Sequence, residues 1–126
     1  MTNQHILLID DDEDDQEIFL SALNQISASV KCNAFSEAHE ALKQLVSKEI
    51  TPQVIFLDLN MPVMSGQQFL MEIKKIEDLK NIPIIIFSTS SHSGTIKLTK
   101  EMGAHDFITK PNNFDELVNI LKPIID

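Results

Sequence analysis

His5-Ile-Leu-Leu-Ile-Asp-Asp11 is a short apolar run that stops at two adjacent carboxylates, and the same pattern recurs further along the chain. Val54-Ile-Phe-Leu57 stops at Asp58, and Phe107-Ile-Thr109 stops at Lys110. If these runs are parallel strands, their carboxyl ends share one edge of a sheet, where open α/β sheets bind ligands. The sequence therefore predicts that three acids and one base converge on a single site.

Each apolar run is followed by a segment in which apolar residues recur three or four positions apart, as on a helix with one buried face. The five runs are 6–9, 30–35, 54–57, 84–87 and 107–109. The helical patterns after them cover 18–26, 38–45, 69–73, 96–102 and 114–121, and the fourth is the weakest. Alternation of this kind predicts a parallel sheet with right-handed crossovers, so we expect a doubly wound α/β fold.

Composition limits the functions that the chain can have. Its 126 residues, 43% of them hydrophobic, predict one domain over residues 1–126 with no output domain. Nineteen acids against ten lysines give a net charge of −9, which argues against nucleic acid as a partner because phosphate backbones bind clustered basic residues. The single cysteine and the lack of a signal peptide or long apolar run predict a cytoplasmic protein without a membrane partner.

The stretch 10–17 is acidic at seven of its eight positions. Acids in the first turn of a helix favour its positive end, so we assign most of this stretch to helix stabilisation and solubility. A calcium loop would need a glycine where Asp15 stands and a glutamate where Ser21 stands, so we exclude one. The first two acids differ from the others, because they directly follow the strand and are held at the edge of the sheet.

Asp58 ends the third strand and precedes the turn-rich loop Leu59-Asn-Met-Pro62. A buried carboxylate near two others is costly unless a cation or hydrogen-bond donors meet it. Carboxylates, a backbone carbonyl and water are oxygen ligands that suit Mg²⁺, and Lys110 adds a fixed positive charge. Asp58 could instead cap the next helix, with Lys110 merely balancing it. Ser88, which follows the fourth strand, adds a further polar group at this edge and favours a functional site.

Six short motifs carry a resemblance that spans the chain. They are Asp10-Asp11, Leu57-Asp-Leu-Asn-Met-Pro62, Ser65-Gly66, Ser88-Thr89, Gly103-Ala104 and Lys110-Pro111. In order and spacing they resemble the receiver domain of two-component response regulators, the family that includes the chemotaxis and sporulation phosphorelay regulators. The resemblance implies a flavodoxin-like (βα)5 fold, with a five-stranded parallel sheet of order 2-1-3-4-5.

The resemblance also implies a role for each residue of the site. Asp58 would be the phosphoacceptor, taking a phosphoryl group from a phosphohistidine of a histidine kinase or histidine phosphotransfer protein. Asp11, Asp58 and the backbone carbonyl of Asn60 would hold Mg²⁺, with Asp10 acting through water. Lys110 would offset charge on the phosphoryl oxygens.

In this family phosphorylation is read out by two further residues. Ser88 would donate a hydrogen bond to the phosphoryl group, and Phe107 would then turn inward and alter the face formed by the fourth helix, fifth strand and fifth helix. Phe107 lacks the phenol of the chemotaxis regulator and could equally be a core aromatic. Asn60 and Ser90 occupy positions that tune phosphoryl lifetime in relatives, where the bond before Pro111 is often cis.

A receiver without an output domain must act through another protein. It would be either a diffusible effector that binds a target when phosphorylated, or a relay that passes its phosphoryl group onward. The acidic start and Phe87-Ser-Thr-Ser-Ser91 resemble single-domain regulators that serve phytochrome-type kinases. In relatives the kinase docks on the first helix and the loop after the fifth strand. This suggests contacts at Ile18, Phe19, Ala22 and Pro111, although Ile18 and Ala22 fit a core position better.

Three other functions compete with this interpretation. A phosphatase of the haloacid dehalogenase type needs an acid two residues after its nucleophilic Asp, but Asn60 stands there and cannot act as a general acid. A nucleotide-binding flavodoxin-like protein would need a glycine-rich phosphate loop, which the sequence lacks. A receiver-like binding module without phosphorylation usually lacks a pocket acid or the lysine. We therefore predict a protein that catalyses only its own phosphorylation and dephosphorylation.

Overall fold

Five parallel strands form one sheet with helices on both faces. A computed structural model describes residues 5–61, 63–89 and 92–125. The strands are β1 (His5–Ile9), β2 (Lys31–Phe35), β3 (Val54–Leu57), β4 (Ile84–Ser88) and β5 (Asp106–Thr109). The helices are α1 (Glu13–Ile26), α2 (Ala38–Val46), α3 (Gly66–Lys74), α4 (Ser93–Glu101) and α5 (Phe114–Ile125). The strand order is β2-β1-β3-β4-β5, which confirms the predicted doubly wound fold.

The strand register brings the carboxyl ends of the strands to one edge. Ile9 of β1 lies beside Leu57 of β3, and Ser88 of β4 lies beside Thr109 of β5. The residues that follow β1, β3 and β5 are therefore the acids and the lysine selected from the sequence. Ser88 differs slightly from the prediction, because it is the last residue of β4 and pairs within the sheet.

The core lies on both faces of the sheet, because successive side chains of a strand point to opposite faces. On one face Ile6, Leu8 and Phe56 pack with α1 and α5. On the other face Leu7 and Ile55 pack with α2 and α3. All four residues of β3 are buried, as expected of a central strand covered on both sides, so the residue that follows it emerges directly from the core.

Helix α4, which had the weakest sequence pattern, is present but shallowly anchored. Of its nine residues only Thr99 is buried. Gly103 follows its end at φ 106°, in the left-handed region that favours glycine.

The predicted role of Ser90 in phosphoryl lifetime falls at a position outside the described residues. The peptide bond before Pro111 is trans, whereas the family resemblance suggested that it is often cis. Trans is the commoner state of bonds before proline in general.

None of the helices in the described part of the chain has both the length and the apolar character that a membrane crossing requires.

Candidate functional site

Asp10 and Asp11 reach the site because β1 ends directly before them. The backbone N–H of Asp10 donates to the carbonyl of Phe35 at 3.0 Å, which extends the strand pairing by one residue. The Asp10 side chain is buried, and one of its oxygens accepts a hydrogen bond from the N–H of Asp12 at 3.0 Å. Asp11 is exposed. The two neighbouring acids therefore meet different surroundings, one inside the protein and one facing solvent.

Asp58 is held beside β1 by the same strand geometry. Its N–H donates to the carbonyl of Ile9 at 2.9 Å, and the residue is only 7% exposed. Its Oδ1 accepts a hydrogen bond from the N–H of Asn60 at 3.2 Å, a turn in which the side chain binds the backbone two residues later. One Asp58 oxygen is thus fixed by its own loop, while Oδ2 faces the lysine.

Lys110 joins three parts of the molecule at one point. Its backbone N–H donates to the carbonyl of Ser88 at 2.8 Å, which places the lysine directly beyond β5. Its Nζ lies 2.7 Å from Asp10 Oδ2, 2.8 Å from Asp15 Oδ2 and 3.5 Å from Asp58 Oδ2. The ammonium group therefore meets acids that follow β1 and β3 and an acid in the first turn of α1.

Burial and charge act in opposite directions on two of these groups. Burial raises the pKa of Asp10, and the hydrogen bonds from Lys110 and Asp12 offset only part of that rise. Burial also lowers the pKa of Lys110, but the hydrogen bonds to Asp10 and Asp15 and the charge of Asp58 outweigh it and raise the pKa above that of a free lysine. Lys110 therefore keeps its positive charge over the physiological pH range.

The three acids at the ends of β1 and β3 also suit a small hard cation. Asp10, Asp11 and Asp58 each offer one carboxylate oxygen, and these oxygens lie within 4.8 Å of one another. Ligands at opposite positions on Mg²⁺ are about 4.2 Å apart, so small side-chain rotations bring these oxygens within reach of one ion. The acids outnumber the lysine beside them, and a divalent cation would balance the remaining negative charge. The donor set thus fits Mg²⁺.

Ser65 and Gly66 explain how α3 approaches the loop of Asp58 so closely. Ser65 Oγ accepts a hydrogen bond from the N–H of Gln68 at 3.2 Å, and the Gln68 side chain accepts one from the N–H of Ser65 at 2.8 Å. This capping box starts the helix. The N–H of Gly66 donates to the carbonyl of Leu59, and a Cβ added at Gly66 would lie 2.5 Å from the carbonyl oxygen of Asp58. Only glycine fits between the helix and this loop.

Ser88 and Phe107 lie on the β4 and β5 side of the site. Ser88 is fully buried at the end of β4. Phe107 is half-buried and packs against the core cluster on the α2 and α3 face. It also lines a cavity of about 190 Å³ between α4 and β5, together with Ile96 and Ala104. Phe107 therefore has both core contacts and free space beside it.

The residues suggested for kinase docking divide into two groups. Phe19 and Ala22 are fully buried and face the sheet, so the suggested partner contact of Phe19 is wrong, and the core position that we favoured for Ala22 is confirmed. Ile18 is 47% exposed, so the core position that we favoured for it is also wrong. Ile18 and Pro111 line a surface cavity of about 150 Å³ with Phe114. An amphipathic pattern leaves the rotation of a helix uncertain by one residue, which accounts for both errors.

Asp15 is the site residue that sequence reasoning missed. It was assigned to helix stabilisation and solubility, yet its side chain meets Lys110 at 2.8 Å. Asp12 caps α1 by accepting hydrogen bonds from the N–H groups of Asp14 and Asp15. A signal was available, because an N-cap at Asp12 puts Asp15 in the first turn, at the edge where β1 ends. Asp14, one position earlier, is exposed as predicted.

Comparison with known proteins identifies the family of this chain. The sequence pattern of the response regulator receiver domain matches residues 6–122, and the chain belongs to this family. It is 31% identical over 124 residues to the two-component response regulator ORR8 of Oryza sativa subsp. indica, covering 98% of this chain and 100% of that protein. It is also 31% identical to the DNA-binding transcriptional regulator NtrC of Salmonella typhimurium, covering 95% of this chain and 24% of that protein.

Two solved structures show the same architecture in stand-alone receiver domains. The phosphorylated cyanobacterial phytochrome response regulator RcpA superposes with a TM-score of 0.88 at 29% identity, covering 97% of this chain and 91% of that one. The Mn²⁺-bound form of response regulator Rcp1 superposes with a TM-score of 0.83 at 27% identity, covering 96% and 91%. The chain is therefore a response regulator receiver domain of two-component signalling, with the flavodoxin-like fold of that family.

Proposed function

We propose that this receiver domain takes a phosphoryl group from a phosphohistidine onto Asp58, with Mg²⁺, and signals by changing its protein-binding face. The observation that carries the proposal is the position of Lys110 Nζ, 2.7 Å from Asp10 and 3.5 Å from Asp58. A permanently charged ammonium beside two buried carboxylates is the arrangement needed to receive and neutralise a phosphoryl group.

The transfer would be nucleophilic catalysis by a carboxylate. An oxygen of Asp58 attacks phosphorus while the P–N bond of the phosphohistidine breaks, and the electron pair of that bond returns to the imidazole nitrogen. An acyl phosphate forms on Asp58. The hydrogen bond from Asn60 to Asp58 Oδ1 holds the carboxylate in one orientation, and Lys110 offsets the charge on the phosphoryl oxygens.

Asp11, Asp58 and the backbone carbonyl of Asn60 would hold Mg²⁺, with Asp10 acting through water because Lys110 already occupies one of its oxygens. When bound, the ion supplies positive charge against the phosphoryl oxygens and orients them. The exposed Asp11 is the acid most open to an incoming ion.

The signal would leave through the α4, β5 and α5 face. The Ser88 hydroxyl would donate a hydrogen bond to the phosphoryl group, which brings new acceptor oxygens and negative charge into the pocket. Phe107 would then turn toward the site. The cavity of about 190 Å³ beside Phe107 and the shallow anchoring of α4 support this step, because both lower the cost of rearranging that face.

The upstream partner would be a histidine kinase or a histidine phosphotransfer protein, and the downstream partner a protein target. The likeness to a phytochrome response regulator favours a kinase of the phytochrome type. The net charge of −9 disfavours nucleic acid, and we propose a cytoplasmic protein that catalyses only its own phosphorylation and dephosphorylation. A binding module without phosphorylation is disfavoured, because the acids and the lysine of the pocket are all retained.

The test is to incubate the protein with Mg²⁺ and acetyl phosphate and to follow its intact mass, beside Asp58→Asn as the matched control. Mass is the right readout, since the chain has no Trp or Tyr for fluorescence. We expect one phosphoryl adduct that requires Mg²⁺ and is absent from Asp58→Asn. An adduct that persists in Asp58→Asn would contradict the assignment of the phosphoacceptor. If no adduct forms, and beryllofluoride with Mg²⁺ does not bind either, the protein is a binding module.

A further inference from the structure

Asp15 holds the same ammonium group that an incoming phosphoryl group would need. We propose that Asp15 is a positioning residue that restrains Lys110 in the unphosphorylated protein and slows phosphorylation of Asp58 until the lysine leaves it. This inference rests on the proposed function and adds a control on its rate, located in the first turn of α1.

The contacts of Lys110 account for all three hydrogens of its ammonium group. Asp10 and Asp15 lie at 2.7 and 2.8 Å from Nζ, the length of a strong charge-assisted hydrogen bond, whereas Asp58 lies at 3.5 Å. The acid that would carry the phosphoryl group is thus the weakest of the three partners. Because Nζ is held toward Asp10 and Asp15, we infer that it reaches a phosphoryl group on Asp58 more readily once one of these two contacts is released.

Exposure decides which contact is released. The side chain of Asp10 is 2% exposed and that of Asp15 is 36% exposed, while Lys110 is 10% exposed. Separating Lys110 from Asp10 would leave a buried carboxylate without its cation, which is strongly unfavourable. Separating it from Asp15 leaves a carboxylate that water can solvate, so breaking this partly exposed pair costs much less in spite of its short distance. Lys110 would therefore leave Asp15 and keep Asp10.

The charge of Asp15 also opposes the phosphodonor. A divalent cation together with Lys110 would balance Asp10, Asp11 and Asp58, and the partly exposed carboxylate of Asp15 then remains as surplus negative charge beside the lysine. The N–H of Asp15 donates to the Asp12 side chain at 3.1 Å, which fixes its backbone at the capped start of α1. Asp15 is thus held in place where it both retains the lysine and repels a phosphate dianion.

The first experiment compares Asp15→Asn with Asp14→Asn in the acetyl phosphate reaction at saturating Mg²⁺. Both variants remove one negative charge from the same helical turn, but the exposed Asp14 side chain does not contact Lys110. We expect Asp15→Asn to form the adduct about three- to fivefold faster than wild type, the size expected for a partly exposed ion pair. Asp14→Asn should stay within about 1.5-fold because solvent and salt screen its charge. Asp15→Glu should restore the slower rate.

The second experiment asks whether Asp15 acts through Lys110, and it needs neither metal nor phosphate. Thermal unfolding of metal-free protein is measured for Asp15→Asn, Lys110→Met and the double variant. We expect the effect of Asp15→Asn on the midpoint to differ between the Lys110 and Met backgrounds by about 2–4 °C, with the substitution less favourable when the lysine is present.

The outcomes separate this inference from the proposed function. If wild type forms the Asp58 adduct but Asp15→Asn reacts no faster than Asp14→Asn, the function stands and the restraint by Asp15 is overturned. An additive unfolding cycle overturns it as well, because the pair would then have no coupling. If wild type forms no adduct and binds no beryllofluoride, both proposals fail together.

Discussion

Two helices, α1 and α4, follow strands that end at the site, yet they are held very differently. Helix α1 buries three apolar side chains against the sheet, including Phe19, and its N-cap Asp12 accepts two backbone hydrogen bonds. Helix α4 buries only Thr99, and the side chain of its N-cap residue His92 makes no capping hydrogen bond. Elements with few buried contacts rearrange at low cost. The α1 side of the site is therefore a fixed wall, and the α4 side is the one able to respond.

The fixed wall also rests on an aromatic cluster directly beneath the lysine. Phe19 and Phe56 meet edge to face with ring centroids 5.0 Å apart, and Phe87 completes the group at 5.8 and 6.1 Å from them. The Nζ of Lys110 lies 5.8 Å from the centroid of the Phe87 ring. Packing of this kind holds the three aromatic side chains in place beneath the charged groups of the site.

The largest difference between the two helices is expected from truncating one apolar side chain on each. Phe19→Ala should lower the free energy of unfolding by about 3–5 kcal/mol, because a fully buried aromatic leaves a cavity. Leu98→Ala on α4, where the side chain is 49% exposed, should cost less than about 1 kcal/mol. Urea unfolding followed by circular dichroism measures both.

Should Phe19→Ala fail to fold, Phe19→Leu provides a milder comparison. It too should cost more than Leu98→Ala. Equal losses for the two helices would mean that α4 is anchored as firmly as α1.

Replacing a glycine by alanine should change the stability of the protein in opposite directions on the two sides of the site. At Gly66 a Cβ would meet the carbonyl oxygen of Asp58 at 2.5 Å, so Gly66→Ala should cost about 1–3 kcal/mol and displace the Asp58 loop. At Gly94, in α4, no atom of the described residues lies within 4 Å of the added Cβ, apart from the adjoining residues and the backbone of the helix itself. Alanine should raise stability there by up to about 1 kcal/mol through its higher helix propensity. Thermal unfolding of the pair is the measurement, and a loss at Gly94 would show that α4 has a hidden contact.

Substitutions at the two N-cap residues should differ less in their effect on stability than the substitutions above. Asp12→Ala should cost about 1 kcal/mol, because the N–H groups of Asp14 and Asp15 lose their acceptor. Asp12→Asn removes the same charge but keeps an acceptor oxygen, so it should retain most of the stability. His92→Ala should change the free energy of unfolding by less than about 0.5 kcal/mol. A loss at His92 as large as that at Asp12 would contradict the difference between the two helix starts.

A small effect is also expected at the single buried side chain of α4. The hydroxyl of Thr99 donates to the carbonyls of Thr95 and Ile96 within the same helix, at 3.0 and 3.1 Å. Thr99→Val keeps the shape and leaves no donor unpaired, so it should change stability by less than about 1 kcal/mol. A larger loss in chemical denaturation would mean that this hydroxyl anchors α4 more firmly than its burial suggests.

Local patterns predicted most of the fold. The strands and helices lie where the apolar runs and helical spacings predicted them. A strand buried on both faces and a helix with one buried face each require a clear hydrophobic pattern in the sequence. The weaker hydrophobic pattern of α4 corresponds to a helix with one buried residue. The residues at the strand ends were also identifiable, since parallel strands must present their carboxyl ends at one edge.

The errors in side-chain placement concern the rotation of α1 about its own axis. Ile18 was expected in the core and is exposed, whereas Phe19 was suggested as a partner contact and is buried. Asp15 was placed with the solvated acids and lies against Lys110. Neighbouring residues on a helix point about 100° apart, so an uncertainty of one residue exchanges the buried face for the exposed one.

The order of residues along the chain was enough to define the alternating strands and helices, the receiver family and the acids and lysine at the strand ends, because each of these depends on spacing along the chain. It did not determine that Asp15 rather than Asp14 contacts Lys110, nor that α1 packs firmly against the sheet while α4 buries only one residue. Those properties depend on the angle at which each helix leaves its strand and on which face it turns to the sheet, and packing in three dimensions sets both.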